Sequence, residues 1–151
     1  MQTIRQPNPE EREVLLAIWL RSVRATHTFL TGDDIAFFHP MVRELLASDL
    51  EFWVIYPDGQ TPAGFMGLDT VSHPVKLEAL FIDPDRSRQG LGAQLVRHAQ
   101  ALKGPLILDV NEQNPNAVAF YEHLGFTRTG RSPLDGSGRP FPLIHMAHPG
   151  T

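Results

Sequence analysis

Apolar positions along the chain switch between two periods, and the switches mark out its elements. Leu15, Ile18, Trp19 and Ser22 share one face of a 3.6-residue repeat behind Glu10, Glu11, Arg12 and Glu13, which predicts a helix over 10–25. Thr31 followed by Asp34 has the form of a capping box, so a second helix is expected from residue 32. Pro40 is expected to interrupt it, and Met41, Val42, Leu45 and Leu46 predict that it resumes to residue 48.

Elsewhere the pattern is strand-like. Residues 3–6 predict a short first strand. Phe52–Tyr56 and Ala63–Leu68 predict a hairpin across the turn Pro57-Asp58-Gly59. Val75–Ile82 predicts the next strand. A helix over 91–103 is expected to bury Leu91, Leu95, Ala99 and Leu102 and to stop at Gly104. The continuous apolar run Leu106–Val110 reads as the centre of a sheet. Asn114 followed by Pro115 is a good N-cap and first helical residue, and the helix should run to Leu124, with Gly125 ending it. Phe126–Thr129 and Leu143–Ala147 predict two last strands around a loop at 130–142. Strand 75–82, helix 91–103 and strand 106–110 then form a parallel βαβ unit. The expected fold class is α+β: a mixed, largely antiparallel sheet of about seven strands with about four helices, around that central unit. One domain over residues 1–151 is expected.

Composition narrows the function. The chain is 42% hydrophobic and 20% charged, with net charge −4 and pI near 5.9. No basic tail or helix stands out, which disfavours nucleic acid and anionic membranes as partners. The absence of cysteine excludes disulfides, thiolate metal sites and cysteine nucleophiles, and no metal is expected. The first residues lack the apolar core of a signal peptide, and no apolar run approaches the roughly 20 residues of a membrane span. A cytoplasmic location is expected.

The chemistry-bearing stretch is Arg86-Ser87-Arg88-Gln89-Gly90-Leu91-Gly92-Ala93, between an apolar strand and an amphipathic helix. Glycines let backbone approach a ligand, and the first N–H groups of a helix have no intrahelical acceptor. With the helix dipole these make an anion site suited to phosphate.

Residues 77–93 resemble the acyl-CoA-binding motif of the GNAT N-acetyltransferase superfamily. Residues 109–126, with Asn114 and then Phe120-Tyr121-x-x-Leu124-Gly125-Phe126, resemble that superfamily's second signature. The two occur in the right order and separation, and the likeness extends over about residues 52–147 with the flanking strands. Residues 20–31, with Ala25-Thr26-His27-Thr28-Phe29-Leu30, resemble the YjaB-type bacterial branch. One position departs: Ser87 stands where the family carries Arg or Gln, and Arg86 or Arg88 is the substitute for the guanidinium contact.

The resemblance implies acetyl transfer from acetyl-CoA to a primary amine, by direct attack in a ternary complex. Gln89, Gly90, Leu91, Gly92 and Ala93, with Arg86 and Arg88, would hold the pyrophosphate. The pantetheine arm would lie between strands 75–82 and 106–110, beside Leu80, Phe81 and Ile82 and near Asn111 and Asn114. Tyr121 is the implied general acid toward the departing thiolate. Ordinary phenol and thiol pKa values, about 10 and 8.5, make full transfer uphill by roughly 2 kcal/mol, so a hydrogen bond to developing charge is expected. A lysine-like acceptor must lose a proton first, and Glu78 leads as base, with His27 and His73 as alternatives. Strand alternation puts Glu78 on the face of Leu80 and Ile82. The first two helices and loop 130–142 would build the acceptor site, with Trp19, His27, Phe29, Phe37 and Phe38 available. The acceptor is a small-molecule amine or a peptide or protein amine, and a homodimer is compatible with the superfamily's habits.

Three rivals remain at this point. A non-catalytic acyl-CoA sensor would bind CoA without turnover. A dinucleotide or P-loop domain fits poorly, because the third glycine and the lysine are missing. An acetyltransferase acting on charged tRNA conflicts with the acidic pI.

Overall fold

The computed structural model describes residues 1–150. Its strands are β1 (Thr3–Arg5), β2 (Glu51–Tyr56), β3 (Gly64–Asp69), β4 (Val75–Ile82), β5 (Leu106–Asn111), β6 (Thr127–Ser132) and β7 (Leu143–His148). Its helices are α1 (Arg12–Thr26), α2 (Gly32–Leu46), α3 (Leu91–Lys103) and α4 (Pro115–His123). The strands form one 7-stranded sheet in the order β1-β2-β3-β4-β5-β7-β6. Among the described residues only β4 and β5 pair in parallel, joined by α3, as the βαβ reading requires. The fold is α+β, as expected.

Local chemistry explains most boundaries. Thr31 Oγ1 accepts from the Asp34 N–H at 3.1 Å, and Asp34 Oδ2 accepts from the Thr31 N–H at 2.9 Å, so the capping box starts α2. Asn114 Oδ1 accepts from the Ala117 N–H at 3.3 Å and starts α4. Gly104, at φ 74°, ends α3. Pro40 does not interrupt α2: the helix runs through it unbroken. A proline removes the bond to the carbonyl four residues earlier. That carbonyl belongs to exposed Ala36, where water can serve it. Leu102 also differs from expectation, standing 48% exposed in the last turn of α3 while Leu91, Leu95 and Ala99 are buried.

The sheet carries a core on each face. On one side α1 and α2 pack on Phe52, Val54, Tyr56, Phe65, Ala79 and Phe81. On the other, Leu91, Leu95, Val96 and Ala99 of α3 and Val118 of α4 pack on Leu77, Leu106 and Leu108. At roughly 25 cal/mol per Å² of apolar area, these two cores are the main stabilising term.

Two irregularities decide the functional geometry. The pairing of β4 with β5 ends at Leu77↔Leu108, and beyond it the strands part. Opposite β3, the register passes from Leu68↔Leu77 to Gly67↔Ala79, which leaves Glu78 as the extra residue of a β-bulge. A bulge flips side-chain parity. Val75 and Leu77 face the α3 core, and after the bulge Leu80 and Ile82 do. Glu78 therefore does not share the face of Leu80 and Ile82 as simple alternation predicted. It pairs with Lys76 on the opposite face.

Strand β6 is longer than expected, reaching Ser132 and taking three residues from the loop. A register shift between Arg128 and Gly130 admits the glycine. A Cβ there would lie 3.3 Å from the His145 ring, so Gly130 marks a close approach and not the end of the strand. Among the described residues, no helix is long and apolar enough to cross a membrane.

Candidate active site

The glycine loop is shaped by its backbone. Asp83 Oδ1 accepts from the Asp85 N–H at 3.1 Å, which opens the 3-10 turn Pro84–Arg86. Asp83 Oδ2 also takes a 2.7 Å bond from Arg21 of α1, tying the loop to the opposite layer. Arg88 and Gly90 follow with φ of 64° and 74°. This left-handed turn swings the chain into α3, with Arg88, Gln89 and Gly90 exposed. The first intrahelical bond runs from the Gln94 N–H to the Gly90 carbonyl, at 3.1 Å. The N–H groups of Leu91, Gly92 and Ala93 thus lack intrahelical acceptors, and the dipole there favours an anion. The glycines have separate jobs. A Cβ on Gly90 would meet nothing within 4 Å, whereas one on Gly92 would sit 3.2 Å from Phe120 Cζ.

The gap between β4 and β5 leads to this loop. Past Leu77 and Leu108, the edges of β4 and β5 that face each other have no strand partner. Leu80, Phe81 and Ile82 lie along one edge and Asp109 to Asn111 along the other. Such edges are ready to pair with an extended, amide-bearing ligand. Asn114 is buried as the cap of α4. Tyr121 makes edge contacts with Phe120 at 5.1 Å and Phe126 at 5.6 Å. Burial pushes its hydroxyl above the ordinary phenol value, so it stays a neutral donor at physiological pH.

Where β4 and β5 begin to part, a row of polar side chains from four strands crosses the sheet. Lys76 Nζ lies 3.5 Å from Glu78 Oε1 and 2.9 Å from Asp109 Oδ2. The other Asp109 oxygen lies 2.5 Å from His145 Nδ1, and His145 Nε2 lies 2.7 Å from Ser132 Oγ. Burial works to raise the Asp109 carboxyl, but the hydrogen bonds from His145 and Lys76 and the lysine charge outweigh it, so its pKa falls. The same ion pairs outweigh burial at Lys76 and raise its pKa. An ionised Asp109 can only accept, so His145 Nδ1 carries the hydrogen and Nε2 is free to accept from Ser132.

Loop 133–142 forms the rim. Phe141 lies 5.8 Å from Phe29 and 6.1 Å from Phe38. Arg139 is stacked 3.6 Å over Phe37 and is bonded to Asp34 at 3.2 Å. The segment between α1 and α2 and the β6–β7 loop thus meet through these side chains. His27 belongs to this rim through a 5.4 Å contact with Phe29, and burial lowers its pKa. Trp19 is 4% exposed and belongs to the core. His73 lies ahead of β4, at the paired end, away from the gap. Sequence reasoning missed Lys76, Asp109, Ser132 and His145. Asp109 inside an apolar strand was the one visible signal, because a half-buried carboxylate needs a partner.

Comparison with known proteins places this geometry. The family model "Acetyltransferase (GNAT) domain" matches residues 48–128. The peptidyl-lysine N-acetyltransferase YjaB of Salmonella typhimurium is 46% identical over 149 residues, covering 99% of each chain. The solution structure of apo-form YjaB from Escherichia coli superposes with TM-score 0.88 at 41% identity, covering 100% of this chain and 99% of that one. The fold is shared more widely. The PaiA N-acetyltransferase of Thermoplasma acidophilum, crystallised in complex with coenzyme A, superposes with TM-score 0.81 at 21% identity, covering 99% of each chain.

Proposed function

The chain belongs to the GNAT acetyltransferase family, and from that premise we propose that it moves the acetyl group of acetyl-CoA to the side-chain amine of a lysine in a peptide or protein. The observation that carries this reading is the parting of β4 and β5 just past Leu77 and Leu108, in a gap that leads to the unpartnered amides of α3. The relatives named for peptidyl-lysine support the acceptor class.

The residues fit acetyl-CoA as substrate. The N–H groups of Leu91, Gly92 and Ala93 donate to a diphosphate, and Arg86 and Arg88 flank it. The free edges of β4 and β5 bond the amides of the pantetheine arm. A main-chain N–H near Leu80 serves the thioester oxygen as charge develops there. Attack is direct: the amine nitrogen bonds the acetyl carbon, the carbon–sulfur bond breaks, and sulfur leaves as thiolate. Tyr121 donates a hydrogen bond to that sulfur. Its raised pKa favours stabilisation over full proton transfer.

The deciding experiment follows free-thiol release from acetyl-CoA with a panel of lysine peptides, free lysine, polyamines and aminoglycosides. Release with lysine peptides above the others is expected. Release with small amines alone would move the acceptor class. Acetyl-CoA binding without release for any amine would make the chain a sensor.

A further inference from the structure

Building on the acetyl-CoA reading, we propose that Arg21 of α1 is a positioning residue for the diphosphate loop: through Asp83 it holds the loop where the first amides of α3 can meet the phosphates. The loop depends on what holds its ends. The chain from Ser87 to Gly90 is exposed, and its backbone bonds lie at either end of it. One runs from the Ser87 N–H to the Pro84 carbonyl at 3.3 Å, the other from the Gln94 N–H to the Gly90 carbonyl at 3.1 Å. At the far end the holder is α3. At the near end it is Asp83, the residue after β4.

Asp83 is bonded through both its backbone and its side chain. Its N–H donates to the Ala63 carbonyl at 2.8 Å, and its carbonyl accepts from the Arg86 N–H at 2.8 Å. Its Oδ1 accepts from the Asp85 N–H at 3.1 Å, and its Oδ2 accepts from Arg21 Nη2 at 2.7 Å. Only the last of these bonds comes from the α1 layer, which carries none of the proposed phosphate donors. That helix also packs against the 3-10 turn Pro84–Arg86. The joint lies close to the proposed phosphate site: Cγ1 of Ile82, the residue before Asp83, is 3.7 Å from where a Gly92 Cβ would be.

The Asp83 side chain is 14% exposed, so its charge needs a partner. Burial works to raise its pKa, but the bonds from Arg21 and the Asp85 N–H outweigh it, and the carboxyl stays ionised. Arg86 adds its charge without an ion-pair contact. Without Arg21, a mostly buried carboxylate would lack a bonded cation beside a site built for an anion. It would turn toward water at the expense of the Asp85 bond that opens the turn. Arg21 needs no contact with the cofactor for this effect. A loop already ordered loses less freedom when the ligand binds, and affinity rises accordingly.

The test measures acetyl-CoA affinity by calorimetry for the wild type, Arg21→Ala, Asp83→Asn and the double variant. Each single variant should weaken binding by about tenfold, within the range of coupled neighbours. The double variant should bind no more weakly than the worse single one, because either change breaks the same bond. In the thiol-release assay the KM for acetyl-CoA should rise more than kcat falls, the mark of lost binding rather than lost chemistry. Hydrogen exchange should quicken at Arg86 and Ser87 in Arg21→Ala, while amides at the paired end of β4 and β5 keep wild-type protection. Losses that multiply in the double variant would mean that Arg21 acts on the cofactor by itself, and would overturn the proposal. So would wild-type affinity in Arg21→Ala, or exchange that quickens evenly over the sheet. A wild type that binds no acetyl-CoA would refute the cofactor reading instead, and exchange at Arg86 and Ser87 would still decide whether Arg21 holds the loop.

Discussion

The two halves of this site are made of different material. The proposed cofactor half is backbone: the amides at the start of α3 and the free edges of β4 and β5, with glycine where a side chain would intrude. Beside it runs a row of side chains, Lys76, Asp109, Ser132 and His145, on four strands. Backbone geometry comes from a contiguous segment and tolerates changes in most of its side chains. A side-chain row depends on register across the whole sheet. The halves should therefore respond to mutation in opposite ways.

The largest expected effect is on the cofactor half. Gly92→Leu drives a side chain into Phe120, where a Cβ would already be 3.2 Å from Cζ. It should remove the stabilisation by acetyl-CoA, which for an intact site is about 2.7 kcal/mol at a hundredfold excess over Kd. A thermal shift equal to wild type would break the comparison at its stronger end. Tyr121→Phe should come next, lowering turnover at least tenfold, about 1.4 kcal/mol, while the acetyl-CoA shift is kept. Unchanged turnover would return Tyr121 to the core.

Smaller effects sharpen the contrast. The Asp109 carboxyl titrates below its unfolded value, so its contribution to stability is present above about pH 4 and is lost as pH falls through the folded value. Asp109→Asn should flatten the acid limb of the stability curve, read by denaturant unfolding at stepped pH. An acid limb as steep as wild type would show that the ion pairs with Lys76 and His145 are not maintained in solution. Arg88→Gly should change least. Arg88 is held at φ 64°, a conformation costing about 1 kcal/mol for a residue with a side chain, so glycine should raise stability by up to that amount. Acetyl-CoA affinity should fall less than tenfold if amides do the gripping. A larger fall would assign the phosphate contact to Arg88.

Much of the fold was legible in the chain because its signals are local. The Thr31–Asp34 capping box, the Asn114-Pro115 start and the Gly104 stop act within a few residues. The exceptions were tertiary. Pro40 stays helical because the carbonyl it orphans is on an exposed residue. Gly130 lies inside a strand because His145 needs the space, and that alone kept Ser132 out of view.

By itself the sequence determined the order of elements, the parallel βαβ unit and the glycine loop where a diphosphate would sit. Each is written in neighbouring residues, through periodicity, capping and backbone freedom. Only the tertiary structure decided which side chains meet where β4 and β5 begin to part. The bulge at Glu78 reverses parity along β4, and the pairing of β5 with β7 sets Asp109 beside His145, 36 residues away. Side-chain direction in a strand changes with one inserted residue, and pairing partners are chosen by the whole sheet, so no short stretch of chain encodes the row.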